Sequence, residues 1–256
     1  MKLSLVVPAY NEARRILPSL DRIFTYLDTK YPDHEVIVVD DGSTDGTSDV
    51  VRAHCGQRAD VQLMSVGHNR GKGYAVRTGA LAAHGDVVLF SDADLSTPIE
   101  EVEKMLPLVE RGYDLVIGSR AHADAEIRQH QPAYREGAGK LFNVLVRVAV
   151  RLPFHDTQCG FKLFRRKPLL PILRRMEIDR FAFDVELIAF AQAAGLKVAE
   201  VPVVWVNSPQ SRVGLWYGAQ AFADLLRIRR AAKRVAASTA VSADGAEMQP
   251  PASGRT

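Results

Sequence analysis

The chain has 256 residues, 47% of them apolar and 25% charged, an ordinary globular composition that excludes a wholly disordered or fibrous protein. Its most apolar stretches, 141–154 and 181–199, are interrupted by Arg147, Arg151, Asp184 and Glu186, so neither supplies the ~18 uninterrupted apolar residues of a membrane span. The net charge of +3 conceals a division: residues 1–120 hold 13 basic and 18 acidic side chains (−5), whereas residues 140–175 hold nine basic side chains and only Asp156 (+8), an asymmetry that suits an anionic partner such as a membrane surface or nucleic acid.

Met1-Lys2 leads straight into the apolar run Leu3 to Val7, ended by Pro8, with no signal peptide pattern. Ala13 to Thr29 places Ile16, Leu17, Leu20, Ile23, Phe24 and Leu27 at helical spacing. A second strand, Glu35 to Val39, is followed by Asp40-Asp41-Gly42-Ser43, and a helix over Thr44 to His54 is expected to be capped by Ser43 or Thr44. A third strand covers Val61 to Val66. A helix over Gly73 to Ala83 is expected to stop at Gly85. The fourth strand, Val87 to Phe90, runs into Ser91-Asp92-Ala93-Asp94, and Thr97-Pro98 opens a helix to Arg111. Leu115 to Ile117 is the fifth strand, before Gly118-Ser119-Arg120. Continuous apolar strands alternating with helices predict a doubly wound α/β fold, a parallel sheet with helices on both faces. In such sheets ligands sit beyond the carboxyl ends of the strands.

Beyond residue 120 the pattern changes. Residues 121–133 read as a polar loop, Tyr134 to Leu152 as an amphipathic helix, Asp156 to Arg165 as a loop and strand, Phe181 to Ala194 as a helix and Lys197 to Val206 as one strand. Trp216 to Ala237 reads as a basic amphipathic helix carrying Arg227, Arg229, Arg230, Lys233 and Arg234, and residues 238–256 as a disordered tail. The expected organisation is a catalytic domain over 1–215, that helix over 216–237, and the tail. Cys55 and Cys159 are too few for a disulfide framework or a zinc site, and the seven histidines show no ligand spacing. A reduced, cytoplasmic protein is expected.

The chemistry concentrates at the strand ends. Asp92 and Asp94, two carboxylates at i and i+2 after a buried strand, suit a hard divalent cation such as Mg or Mn. That cation neutralises the charge that develops on a nucleotide diphosphate leaving group. Asp40 and Asp41 end another strand, where a carboxylate can accept hydrogen bonds from a base or ribose. Taken singly, each is equally well a solvated turn or a helix cap.

Together, Val7-Pro8-Ala9-Tyr10-Asn11-Glu12, Val38-Val39-Asp40-Asp41-Gly42-Ser43-Thr44-Asp45-Gly46-Thr47, Asn69-Arg70-Gly71-Lys72-Gly73 and Asp92-Ala93-Asp94 resemble the family 2 glycosyltransferases of GT-A fold. Gly118-Ser119-Arg120 and Asp156-Thr157-Gln158-Cys159-Gly160-Phe161-Lys162-Leu163-Phe164 resemble the polyprenyl-phosphate sugar synthases, the dolichyl-phosphate β-glucosyltransferase type above the mannosyl type. The resemblance covers residues 3–215. It implies a Rossmann-like nucleotide-sugar-binding sheet, with Pro8, Ala9, Tyr10, Glu12, Val38, Asp40, Asp41, Lys72, Asp92 and Ala93 on the donor and Asp92 and Asp94 on the metal. It implies Asp94 in the metal segment and Arg120 and Arg212 as phosphate contacts. Beside these, Asp156 is the candidate acid near the acceptor, completing a catalytic set of Asp94, Arg120, Asp156 and Arg212, and Arg120, Arg135, Gln158 and Lys162 are the candidates around an acceptor phosphate, although Arg135 taken alone reads better as a surface charge. Ser96 stands where mannosyl-type enzymes carry a metal-holding glutamine, and Asn207 and Ser208 stand where a second basic residue is expected. Both departures point to the glucosyl branch.

The expected reaction is inverting transfer of a hexose, glucose from UDP-glucose, to a polyprenyl or dolichyl monophosphate. A phosphate is anionic at neutral pH and asks for positioning and charge neutralisation more than for a general base. Asp156 reads as orienting an arginine or a sugar hydroxyl, or as capping the turn over Thr157-Gln158. The expected partners are the nucleotide sugar, the lipid phosphate and an anionic membrane surface. The enzyme would lie peripherally on the cytoplasmic face, held by its amphipathic helices. The alternatives are a GDP-mannose donor, a saccharide acceptor, or a module that binds nucleic acid, which the acidic motifs disfavour.

Overall fold

The computed structural model describes residues 1–129, 133–207 and 218–247. Strand–helix alternation fills the first half: β1 (Leu3–Ala9), α1 (Ile16–Lys30), β2 (His34–Asp40), α2 (Thr47–Cys55), β3 (Val61–Ser65), α3 (Lys72–Ala82), β4 (Val87–Ser91), a short 3-10 turn (Ile99–Glu101), α4 (Val102–Glu110) and β5 (Leu115–Ser119). The second half holds β6 (Glu126–Gln129), α5 (Ala133–Val150), β7 (Phe161–Arg165), α6 (Arg166–Arg175), α7 (Phe183–Ala193), β8 (Val198–Pro202), β9 (Val204–Val206) and α8 (Gly218–Glu247).

Seven strands form one sheet in the order β3-β2-β1-β4-β7-β5-β8. Successive residues of a strand face opposite sides, and here both sides are covered. Leu3, Leu5 and Val7 of β1 pack with Ile16, Leu20 and Ile23 of α1 and Met105 of α4. Val6 faces Ala75 and Ala80 of α3 and a layer built by α6, α7 and α8. Two-sided burial is why these strands read as continuous apolar runs. The strand order reverses at β1, which lies between β2 and β4; this is the switch point where a crevice opens beyond the strand ends.

Several expectations need correction. The sheet is not wholly parallel, because β7 runs antiparallel between β4 and β5. The stretch 121–133 contains β6, which pairs with β9 rather than remaining a loop. The single strand expected over Lys197–Val206 is two: β8 joins β5, and beyond Pro202, which has no N–H to give, β9 leaves for β6. Helix α6 was not foreseen, since Pro171 sits inside it and prolines usually break helices. Helix α8 runs to Glu247, ten residues into the segment read as a disordered tail; alanine favours helix and low-complexity composition alike.

The capping expectations also shift. Helix α2 starts after Gly46, whose φ is +86°, with no side-chain cap. Ser43 and Thr47 instead accept from the backbone N–H groups of Asn11 and Glu12, both at 2.8 Å. Helix α3 ends at Ala82, capped by Ala83, whose N–H donates to Gly79 O, and not by Gly85. Gly85 packs on β1, where a Cβ would lie 2.6 Å from Ser4 Oγ.

Candidate active site

A cleft of about 310 Å³ opens at the carboxyl ends of β1, β2 and β4, lined by Pro8, Ala9, Tyr10, Glu12 and Arg15, by Asp41, by Asn69, Gly71, Lys72 and Ala75, by Asp92, Ala93 and Asp94, and by Arg180 and Phe181. Most of the expected donor residues therefore converge. A larger hollow, about 770 Å³, lies at the other end of the sheet against Met1, Asp86 and Lys167, and none of the strand-end motifs reaches it.

The β1 end is held by its neighbour loop. Asn11 adopts φ +56°, and its side-chain Oδ1 accepts from Thr44 N at 2.8 Å. Asp40 is buried and accepts from Ser43 N at 2.9 Å and from Ser48 Oγ. It shapes the loop and does not line the cleft, and Val38 is in the core. Asp41 does line the cleft; it accepts from Asn69 Nδ2 (3.0 Å), Arg70 N (2.9 Å) and Gly71 N (2.7 Å). Burial pushes its carboxyl up, while those backbone groups pull the other way.

Two of the cations in the cleft, Arg15 and Lys72, are paired. Glu12 holds Arg15, with Nη2 to Oε1 at 2.6 Å, and Arg15 Nη1 reaches Asp94 Oδ2 at 3.8 Å. Lys72 pairs with Asp92. Asp94 Oδ1 accepts from Ser96 N at 3.0 Å. The Asp92 carboxylate rests on the backbone of Gly160, where any Cβ would overlap it.

The hard oxygens of Asp92 and Asp94 fit a divalent cation. Among the described residues no third carboxylate or imidazole joins them, in keeping with Ser96 at the glutamine position, so the remaining ligands would be donor oxygens and water. A second group, Asp28, His34 and Asp60, sits at the opposite, amino-terminal ends of β2 and β3. There the Arg58 guanidinium already engages both carboxylates, at 2.6 Å each, and a cation would have to displace it.

On the β5 side, Arg120 and Asp156 form a bidentate pair: Nε to Oδ2 at 2.6 Å and Nη2 to Oδ1 at 3.0 Å, with Arg120 N also donating to Oδ2 at 3.1 Å. Asp156 is 1% exposed. Burial alone would raise its carboxyl, but the Arg120 charge and hydrogen bonds hold it down, at about 2. Asp156 thus engages Arg120 and also caps the turn, its Oδ1 accepting from Gln158 N at 3.1 Å. The Arg120 guanidinium keeps an open side and lies 5.7 Å from the Trp205 ring.

Lys162 is not at an acceptor position. It is 0% exposed, and Nζ donates to Asp184 Oδ1 and Cys159 O, each at 2.5 Å. The reason is topological: β7 is a central strand, so alternation sends Lys162 inward whichever face it takes. Cys159 is buried, and burial pushes its thiol up to about 11, which excludes a nucleophilic role at neutral pH. The side chain of Arg135 and all of Arg212 lie outside the described residues.

Arg15, Arg180 and Phe181 line the cleft without having been singled out in the sequence. Arg15 carried a signal, lying three residues after Glu12 on the entry to α1. Arg180 and Phe181 carried none, because they read as the lead-in to a helix.

Comparisons with known proteins identify the family and the fold. Residues 4–172 match the sequence profile of glycosyl transferase family 2. A dolichyl-phosphate beta-glucosyltransferase of Mus musculus is 37% identical over 246 residues, 89% of this chain and 75% of the relative. One from Trichomonas vaginalis is 36% identical over 220 residues, and this chain spans 82% of itself but only 65% of that relative's length. Among solved structures, glucosyl-3-phosphoglycerate synthase from Mycobacterium tuberculosis, with Mn2+, UDP and phosphoglyceric acid, superposes with a TM-score of 0.66 at 22% identity, covering 89% of this chain and 78% of that one. A mannosyltransferase from Pyrobaculum calidifontis, with GDP-Man and Mn2+, gives 0.61 at 24% identity, covering 97% and 76%. Both share the GT-A fold.

Proposed function

The chain belongs to glycosyl transferase family 2, and from that membership we propose that it moves glucose from UDP-glucose onto the phosphate of a polyprenyl or dolichyl monophosphate, with inversion at the anomeric carbon. The names of its relatives support the sugar and the lipid. The observation that carries the acceptor class is the locked state of the carboxylates beside β5 and β7. Asp156 spends both oxygens on Arg120, and Asp184 is neutralised by Lys162. Neither is a free base, and a sugar hydroxyl would need one. A phosphate monoester needs none.

One phosphate oxygen attacks the anomeric carbon, the bond from that carbon to the β-phosphate oxygen breaks, and the nucleoside diphosphate leaves with the bonding pair. No proton has to move. Arg120, held rigid by Asp156, presents a planar fork to the phosphate; Gln158, Arg135 and Arg212 are proposed to complete that site. A divalent cation held by Asp92 and Asp94 would neutralise the leaving diphosphate. Lys72 and Arg15 hold those two carboxylates in place.

The lipid must be met at a surface. Among the described residues no helix is long and apolar enough to cross a membrane. Helix α5 exposes Leu141, Val144, Leu145 and Val148, with Arg147 and Arg151 beside them. The apolar stripe of α8, Leu225, Ile228 and Val235, packs inward instead, leaving Arg227, Arg230, Lys233 and Arg234 outside. Near an anionic surface each basic residue is worth about 1 kcal/mol. Peripheral attachment on the cytoplasmic face is the reading these features favour.

The test is a donor panel. Purified protein with Mg or Mn and a short polyprenyl phosphate is given radiolabelled UDP-glucose or GDP-mannose. Label should enter the organic phase from UDP-glucose. Label from GDP-mannose alone would reassign the donor, and none from either would overturn the lipid-linked reading.

A further inference from the structure

We infer that Arg180 binds the donor, its guanidinium closing on the diphosphate; this rests on the nucleotide-sugar reading above and adds a residue to that site. Three cations line the cleft: Arg15, Lys72 and Arg180. Arg15 is engaged by Glu12 and Asp94, and Lys72 by Asp92. The Arg180 carbonyl accepts from Phe183 N at 3.3 Å, but its guanidinium has neither ion pair nor hydrogen bond among the described residues, although it lies close enough to Asp41 for the two charges to attract.

Its position is built. The segment 176–182 joins α6 to α7 and is fastened at several points. The Glu186 carboxylate accepts from Glu177 N at 3.1 Å and Ile178 N at 3.0 Å. Arg77 and Arg70 grip the two oxygens of Asp179, at 2.7 and 3.0 Å. Asp179 O accepts from Tyr74 N at 3.0 Å. Gly71, at φ +118°, lets this segment lie against the start of α3: a Cβ there would collide with Asp179 O and come within 2.9 Å of Arg180 Cγ. The stem of Arg180 therefore crosses Gly71, next to Lys72, on a segment that cannot swing away.

The charge balance of the cleft points the same way. Glu12, Asp41, Asp92 and Asp94 face only three cations, two of them already neutralised. A diphosphate entering this cleft adds negative charge beside four carboxylates. A fastened arginine with its fork unspent is suited to receive it, because guanidinium binds phosphate oxygens bidentately. An ordinary surface arginine would need neither the Asp179 clamp nor a glycine beneath it.

The experiment measures binding to the full chain in EDTA, so that the protein alone supplies the positive charge. UDP affinity is read by calorimetry and uridine affinity by displacement of UDP, for the unaltered protein, Arg180→Met and Arg180→Lys, each checked by circular dichroism. Arg180→Met should weaken UDP at least tenfold and leave uridine within twofold, with Arg180→Lys between the two. UDP affinity within twofold of the unaltered protein, or equal losses for UDP and uridine, would overturn the inference while leaving the donor reading intact. If the unaltered protein prefers GDP, the same comparison is made with GDP and guanosine, and only the uridine assignment falls. No nucleoside diphosphate binding in EDTA with binding restored by Mn would overturn the inference alone, and no binding with or without Mn would sink both readings.

Discussion

Asp156 shows how one side chain constrains the chemistry. Its carboxyl is held at about 2 in the folded protein, against about 4 in an unfolded chain. A depressed carboxyl stabilises the fold above its unfolded value, and that contribution fades as the pH falls towards 2. The difference corresponds to about 2 kcal/mol. Asp156→Asn should therefore show its largest stability deficit at pH 7 and a shrinking one as the pH is lowered towards 3, read from urea midpoints. A deficit independent of pH would mean that packing, not charge, explains the site. Residues at strand ends were legible in the sequence: Pro8, Glu12, Asp92 and Asp94 sit in motifs whose position follows from the strand that precedes them. Lys162 was misplaced because its string looks like a loop motif, and only the sheet order shows it to be interior. Arg180 was invisible, since its partner surface, Gly71, lies more than a hundred residues away.

The element that makes the site is β7. Its antiparallel entry sets Phe161 opposite Ser91, so the segment Asp156 to Gly160 arrives beside Asp92 and Asp94. The proposed donor and acceptor sides meet through that pairing. Gly160 is then forced: its Cα lies under the Asp92 carboxylate. Gly160→Ala should displace Asp92 and lower kcat/KM for the donor at least tenfold with little loss of thermal stability. Unchanged kinetics would show that Asp92 has another position available. The alternation of strands and helices up to residue 120 was readable because each element satisfies its own periodicity. The direction of β7 was not, because a two-residue alternation is the same read forwards or backwards. The split of β8 from β9 was hidden for a related reason, as both halves share one pattern and only Pro202 marks the break.

At the scale of the molecule, the +3 total resolves into an acidic half, proposed to hold the donor, and a basic half, proposed to meet the acceptor, joined through one sheet. The exposed stripe of α5, with Leu141 63% and Val148 72% accessible, is the face proposed to meet the lipid surface. Val144→Asp with Val148→Asp should weaken binding to anionic vesicles in sedimentation assays and leave UDP affinity unchanged. Equal vesicle binding would place the contact elsewhere. The charge division was visible in composition, but the inward turn of α8's apolar stripe required the packing of α8 on α5 and α7.

Transfer to a phosphate without a general base is the core of the proposed reaction. It is tested most directly by offering polyprenyl phosphate and the corresponding polyprenol, of equal chain length, with the same labelled UDP-glucose. The expected product is a glucosylated lipid phosphate, with no detectable transfer to the alcohol. Transfer to the polyprenol at a comparable rate would contradict it.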